Sequence, residues 1–276
     1  MNWFQGLIFG LISGLSDVTP VSSQAHKAIL LKLFGENAED PLLRLVIHVA
    51  TLAALYYCCS SHIQRIIRQL RLSRVPKKRR KRPLDTRTIM EFKLLRMMVI
   101  PVLLSLFLYN KTAVWNTKLS MTTVFLLLNG VILFLPGLVA TGNKDARSMS
   151  ALEGLLMGLG GAVSVLPGVS AVGAANAVGS ACGAERVFCL NMTYLMQMVL
   201  TVGLIALDVA AVFAANISGL TLGSLIIYLL SGIAAFVGSY IGIRGMRMIA
   251  VNIGFGIFAF YSFGAAVLSF VLFLMV

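Results

Sequence analysis

Charge is what this sequence has least of: Lys, Arg, Asp and Glu make up 12% of its 276 residues, against 58% hydrophobic. A water-soluble domain of this length needs far more charge to cover its surface, so a soluble globular fold is excluded. Cysteine is scarce as well. Cys58, Cys59, Cys182 and Cys189 lie in apolar stretches without metal-ligand spacing, which argues against a cysteine-held metal and makes them small buried or lipid-facing residues. The opening segment, Met1–Pro20, has no Lys or Arg ahead of its apolar run and no small-residue cleavage site. It therefore reads as part of the membrane domain and not as a removable leader.

What is present is apolar sequence in long runs, with a mean hydropathy of +0.90. A spanning helix needs about 20 apolar residues. Six stretches qualify: 42–60, 94–112, 119–140, 187–215, 221–243 and 248–275. Short loops join them, so residues 1–276 read as a single membrane domain. Two further apolar segments, 5–33 and 152–182, are interrupted at the centre by Gly, Pro and Ser. Irregular backbone at membrane depth persists only when buried in protein or lining a cavity, so both read as re-entrant helix hairpins. The fold class expected is all-α and polytopic, with six transmembrane helices plus two re-entrant hairpins.

The net charge of +13 is concentrated: thirteen of the 23 Lys and Arg residues fall between Arg65 and Arg96. One basic loop between spans follows the positive-inside bias, suits anionic lipid headgroups and argues against nucleic acid. With loop 61–93 in the cytoplasm of an inner-membrane protein, the short basic loops 141–150 and 244–247 fall there too. The acidic turn with Glu36, Glu39 and Asp40 then faces outward, and the hairpins enter from opposite sides. Their sequences match: GLIFGLISGLSDVTPVSS at 6–23 and GLLMGLGGAVSVLPGVS at 154–170 both run from Gly-Leu-x-x-Gly-Leu to Pro and then Val-Ser, with one gap. Similar units in opposite orientations form an inverted-topology repeat, with the binding site where the broken helices meet. The repeats are expected at about 1–112 and 119–243, followed by a last helix at 248–275.

The first broken segment gathers Ser13, Ser16, Asp17, Thr19, Ser22, Ser23, Gln24 and His26. Ionisable groups inside a membrane mark sites by default. Pro20 disfavours helix before it, and a helix restarting after Ser22 or Ser23 offers free N–H groups and a positive dipole end to an anion such as phosphate. Ser23 and His26 are three apart and share a helix face. A hydroxyl, an imidazole and Asp17 could supply nucleophile, base and orienting carboxylate; helix capping by the serines and a structural His26 are the alternative. In the second segment Ser164, Ser170 and Asn176 suit an anion-cradling loop, while its Gly and Ala equally suit close helix packing. Arg44 lies four residues before His48. Asp208 is isolated in an apolar span, and Asn129, Asn191 and Gln197 read as interhelical hydrogen-bond partners.

Residues 13–26, SGLSDVTPVSSQAH, resemble the first motif, roughly EGLTEFLPISSTGH, of the undecaprenyl-diphosphate phosphatases of the bacitracin-resistance type. Residues 158–173 resemble that family's second motif, which ends PGxSRSG. Gly183–Arg186, Met192–Tyr194 and Arg44–His48 match further elements in order. The resemblance implies six spans, two re-entrant hairpins and an inverted repeat. It also implies removal of the terminal phosphate of undecaprenyl diphosphate at the outer face, for cell-wall lipid recycling and bacitracin resistance, with Mg²⁺ or Ca²⁺ assisting. The implied catalytic residues are Ser23, His26 and Asp17, with Asp17 also the metal ligand. Ser22, Ser13, Gly168, Ser170 and Ala171 would bind phosphate. Two departures stand out. Ser13 and Asp17 occupy the places of two Glu, and Ala171 and Val172 follow Ser170 where the family has Arg and Ser. A non-hydrolytic polyprenyl-phosphate transporter or flippase, an inactive lipid-binding member and a homodimer all stay open at this stage.

Overall fold

In the computed structural model, residues 1–275 are described apart from 81, 116–117, 139–141, 216–219 and 253–254. Ten α-helices account for most of them, and six are long and apolar enough to cross a membrane. The other four form two helix–break–helix units, each built by the same local rules. Helix α1 (Trp3–Asp17) opens with a capping box of Asn2 and Gln5, stops before Pro20, and is followed by α2 (Ser23–Leu33), capped by Ser22. The connection after α2 turns at Gly35, φ 73°, where Glu36 N–H donates to the Leu31 carbonyl. Only a residue tolerant of positive φ closes such a C-terminal motif without strain. Asp40 then caps α3 (Pro41–Ser73) through the N–H groups of Leu42 and Leu43.

The second unit repeats these steps. Helix α6 (Ala151–Ala162) opens with a Ser150–Glu153 capping box, and α7 (Ala171–Ala181) is capped by Ser170. Gly183, φ 83°, turns the chain, and Glu185 caps α8 (Arg186–Ala214). The remaining helices are α4 (Thr86–Thr112), α5 (Leu119–Phe134), α9 (Leu222–Asn252) and α10 (Ile257–Leu274).

Packing follows the same grammar. Helix α1 lies against α9 and α6 against α4; α3 packs on α9 and α8 on α4; α3 meets α8, and α5 meets α10. Exchanging α1–α5 for α6–α10 maps every one of these pairings onto another in the set or onto itself. Glycine makes the two matched seams. A Cβ on Gly10 would lie 2.1 Å from the Ser231 carbonyl oxygen, and one on Gly158 would lie 2.2 Å from that of Met98. Backbones this close are the small-residue packing of helices whose driving force is contact and not hydrophobic exclusion. Ser231 and Ser239 add hydroxyl donors from α9 to the Gly6 and Gly14 carbonyls, at 2.8 and 3.0 Å.

Helix ends depart from the boundaries expected from hydropathy. Helix α3 has 33 residues, about 50 Å of helix, against a hydrocarbon layer of about 30 Å. Together α3 and α4 reduce the expected 61–93 loop to 74–85, since Lys and Arg are good helix formers and hydropathy registers where lipid ends, not where helix ends. Asp85 starts α4 by accepting from Arg87 N–H and the Thr88 hydroxyl, which holds its carboxyl below the usual range. The expected 244–247 loop is likewise helical. There Arg247 donates to the Cys58 carbonyl at 3.0 Å, and Arg244 lies 5.4 Å from the Tyr240 ring centroid.

Candidate functional site

The breaks in the two units meet in the interior of the bundle. A chain break leaves carbonyls with no helical partner, and buried ones must find donors elsewhere. Here side chains far along the sequence supply them. The Val18 carbonyl accepts from Tyr194 Oη at 3.2 Å, that of Thr19 from Ser170 Oγ at 2.9 Å, and that of Pro20 from Asn129 Nδ2 at 3.1 Å. Asn129 also accepts the Ser170 N–H at 3.0 Å and donates to Ser262 Oγ at 2.9 Å, so one fully buried amide ties both breaks to α10. In the other direction, Gly168 donates its N–H to Ser22 Oγ at 3.1 Å. Gly168 has φ 130°, and a Cβ there would meet Phe125 Cβ at 2.6 Å. A larger residue would be strained in its backbone and would press on α5.

Beside this junction lies a cavity of about 470 Å³. Helix α2 lines it with residues 23, 24, 27, 28, 31 and 32, one face of a helix by spacing. Asp17 and Ser22 line it from the first break, and Ser170 and Ala171 from the second. Opposite charges face one another around it. Lys27, itself buried, lies 3.2 Å from Glu39 Oε1, and Arg44 Nε lies 2.6 Å from Asp208 Oδ1. Asp208 takes His48 Nδ1 on its other oxygen, so this carboxylate buried in an apolar span is doubly paired, as buried charge requires. Asp17 accepts from Thr51 Oγ1 at 3.3 Å. Gln197 also lines the cavity, and its buried Oε1 has no hydrogen-bond partner among the described residues.

The expected site residues divide. Asp17, Ser22, Ser23, Ser170 and Ala171 converge on the cavity. Ser13 does not line it: its side chain is buried, and its carbonyl accepts from Ser16 Oγ at 3.0 Å and Ser23 Oγ at 3.5 Å. Gly168 shapes the junction through its N–H instead. His26 falls off the α2 face that lines the cavity. Its Nδ1 is 2.7 Å from the Ser22 carbonyl, which can only accept, so that nitrogen carries the proton and Nε2 accepts from Tyr261 Oη, also at 2.7 Å. The imidazole stacks on the Tyr261 ring, with planes 9° apart. Sharing a face at i, i+3 is therefore not realised toward the cavity; the i, i+4 partner of Ser23 is Lys27. Lys27 and Glu39 were not singled out by the sequence as site residues, although a lysine four residues after Ser23 in a broken apolar segment was the available signal.

A family model, bacitracin resistance protein BacA, matches residues 6–268. The chain belongs to this family. Among curated relatives of the BacA family, an undecaprenyl-diphosphatase of Methanobrevibacter smithii is 24% identical across 98% of this chain and 97% of its own length. One from Bacteroides fragilis is 30% identical over 75% of each chain. Another, from Treponema denticola, is 26% identical over 95% of this chain and 94% of its own. The BacA match begins within α1, includes both breaks, and ends within α10.

No group of three or more His, Cys, Asp and Glu residues suited to a metal occurs among the described residues. A divalent cation bound chiefly by phosphate oxygens needs only one or two carboxylates, and Asp17 is a cavity-wall residue that could supply one.

Proposed function

We propose that this membrane protein hydrolyses the terminal phosphate of undecaprenyl diphosphate, releasing the monophosphate carrier for reuse in cell-wall synthesis. The observation that carries this reading is the convergence of both broken units on one cavity that presents hydroxyls, a carboxylate and cations together. The starts of α2 and α7, each capped by a serine, lie beside it, and helix N-termini favour anions.

In this reading Ser23 Oγ attacks the terminal phosphorus and its proton passes to Asp17. The bond to the bridging oxygen breaks, and the lipid monophosphate leaves. Water then attacks the phosphoserine, releasing inorganic phosphate and restoring Ser23 and Asp17. Ser23 reaches toward the Ser13 carbonyl of α1, one turn from Asp17 on the same helix face, which supports this pairing. Asp17 would also hold Mg²⁺ or Ca²⁺, which neutralises phosphate charge when bound. His26, satisfied on both nitrogens, fixes the start of α2 against α10.

The matched packing of α1–α5 and α6–α10 supports an inverted repeat with two re-entrant hairpins, divided between α5 and α6 and not after α4. The cavity is walled by the acidic 34–40 connection, at the end of α3 remote from the basic 74–85 segment. With the basic end cytoplasmic and near anionic headgroups, the cavity opens outward in a cytoplasmic membrane.

The test is inorganic phosphate release from undecaprenyl diphosphate by the purified chain, with and without Mg²⁺ or Ca²⁺. Ser23→Ala and Asp17→Asn should each lower kcat by about a hundredfold or more. Tight binding of the lipid monophosphate without phosphate release would overturn the hydrolytic reading in favour of carriage.

A further inference from the structure

A phosphate grip needs a cation, and the second unit provides none: Ala171 lines the cavity where the family motif has an arginine. The described cavity wall carries Lys27, Lys32 and Arg44. Arg44 is committed through Nε at 2.6 Å to a carboxylate that is almost wholly buried and also held by His48. Lys27 differs. It lies one turn after Ser23 on the same cavity-lining face of α2, its side chain is 7% exposed, and its partner Glu39 belongs to the acidic connection at the cavity edge, 3.2 Å away.

Resting on the phosphatase reading, we propose that Lys27 is the cation that grips the substrate's phosphates. It replaces, from the first unit, the charge that position 171 lacks in the second. Glu39 is its counter-ion while the site is free of substrate. A lysine this buried cannot stay charged without a partner, and a carboxylate supplies one at modest cost. An entering diphosphate carries more charge than Glu39 and several oxygens. It takes over the ammonium, whose compact charge and three rotatable donors suit a phosphate without requiring the fixed fork of an arginine. Both a lipid diphosphate and free pyrophosphate present this chemistry, and the lipid adds apolar contacts.

The experiment measures binding of farnesyl diphosphate and of inorganic pyrophosphate to the full chain in detergent micelles, with thermal unfolding as a check on folding. Lys27→Met should weaken both probes by about 10- to 100-fold, the size of a lost charge-assisted contact. Lys27→Arg should stay within about threefold of the parent chain, since the charge is kept. Because Lys27→Met strands Glu39, the double variant Lys27→Met with Glu39→Gln removes both charges and should show the same loss. Adding Ala171→Arg to that double variant should restore affinity. Unchanged binding in both Lys27→Met chains overturns the assignment while leaving the phosphate site standing. Loss confined to farnesyl diphosphate would also overturn it, since Lys27 would then act on the lipid portion. Failure of Ala171→Arg to rescue overturns the exchange between the two positions. A parent chain that binds neither probe overturns the phosphate site itself.

Discussion

Replacing Asn129 with leucine tests whether the junction of the two breaks rests on mutual hydrogen bonding. The side chain is fully buried, and its removal strips a donor from the Pro20 carbonyl and an acceptor from the Ser170 N–H. Leucine conserves volume, so the cavity penalty is small. Each stranded buried group costs about 1–3 kcal/mol, giving about 2–6 kcal/mol in all. For a chain of this size that corresponds to a fall of about 5–20 °C in apparent Tm. The chain carries its own reporter. Cys59 and Cys189 are buried free thiols, so a thiol-reactive fluorophore follows unfolding in detergent without any added probe site. A matched control is Thr123→Val, which removes the 3.0 Å hydroxyl contact to Ser269 within the α5–α10 pair and the same hydroxyl's 2.9 Å bond to the Leu119 carbonyl of its own helix. Interhelical side-chain bonds of that kind average about 0.6 kcal/mol in membranes. Asn129→Leu melting within about 2 °C of the control would refute the reasoning, because the breaks would then be held by packing alone.

Ala at Gly10 or Gly158 should destabilise by about 1–3 kcal/mol, because each added methyl meets a backbone oxygen near 2 Å that cannot step aside. Similar losses at the two positions, read as Tm, would fit their matched roles in the α1–α9 and α6–α4 seams. Asp208→Asn should cost about 1.5–3 kcal/mol by leaving the half-buried Arg44 guanidinium without its counter-charge. A double change of Asp208→Asn with Arg44→Gln should recover much of that loss; no recovery in the melting curve would mean that the pair is not the reason.

The breaks at 17–23 and 162–171 were legible because Pro, Gly and Ser at the centre of an apolar segment leave the backbone no regular option. The spans were legible from hydropathy; for Asp208 an apolar helix left both pairing within the bundle and facing water open, and the structure pairs it with Arg44 and His48. The rotation of α2 was not legible. Ser23 has neighbours at both i+3 and i+4, and the one that turns outward is His26, held on the far side by Tyr261, 235 residues later, which donates its hydroxyl to the imidazole. The same rotation brings Lys27 to the cavity. Helix ends were not legible either, since a basic helix leaving the membrane keeps its hydrogen bonds while its hydropathy collapses.

The reciprocal satisfaction of the two breaks also constrains how the chain is assembled. The carbonyls of Val18 and Thr19 accept from Tyr194 and Ser170, residues translated more than a hundred positions later. Until that later portion arrives, the emerging first half must leave those oxygens in contact with water or with an insertion factor. A gene cut between α5 and α6 would therefore yield two fragments that are stable only when produced together.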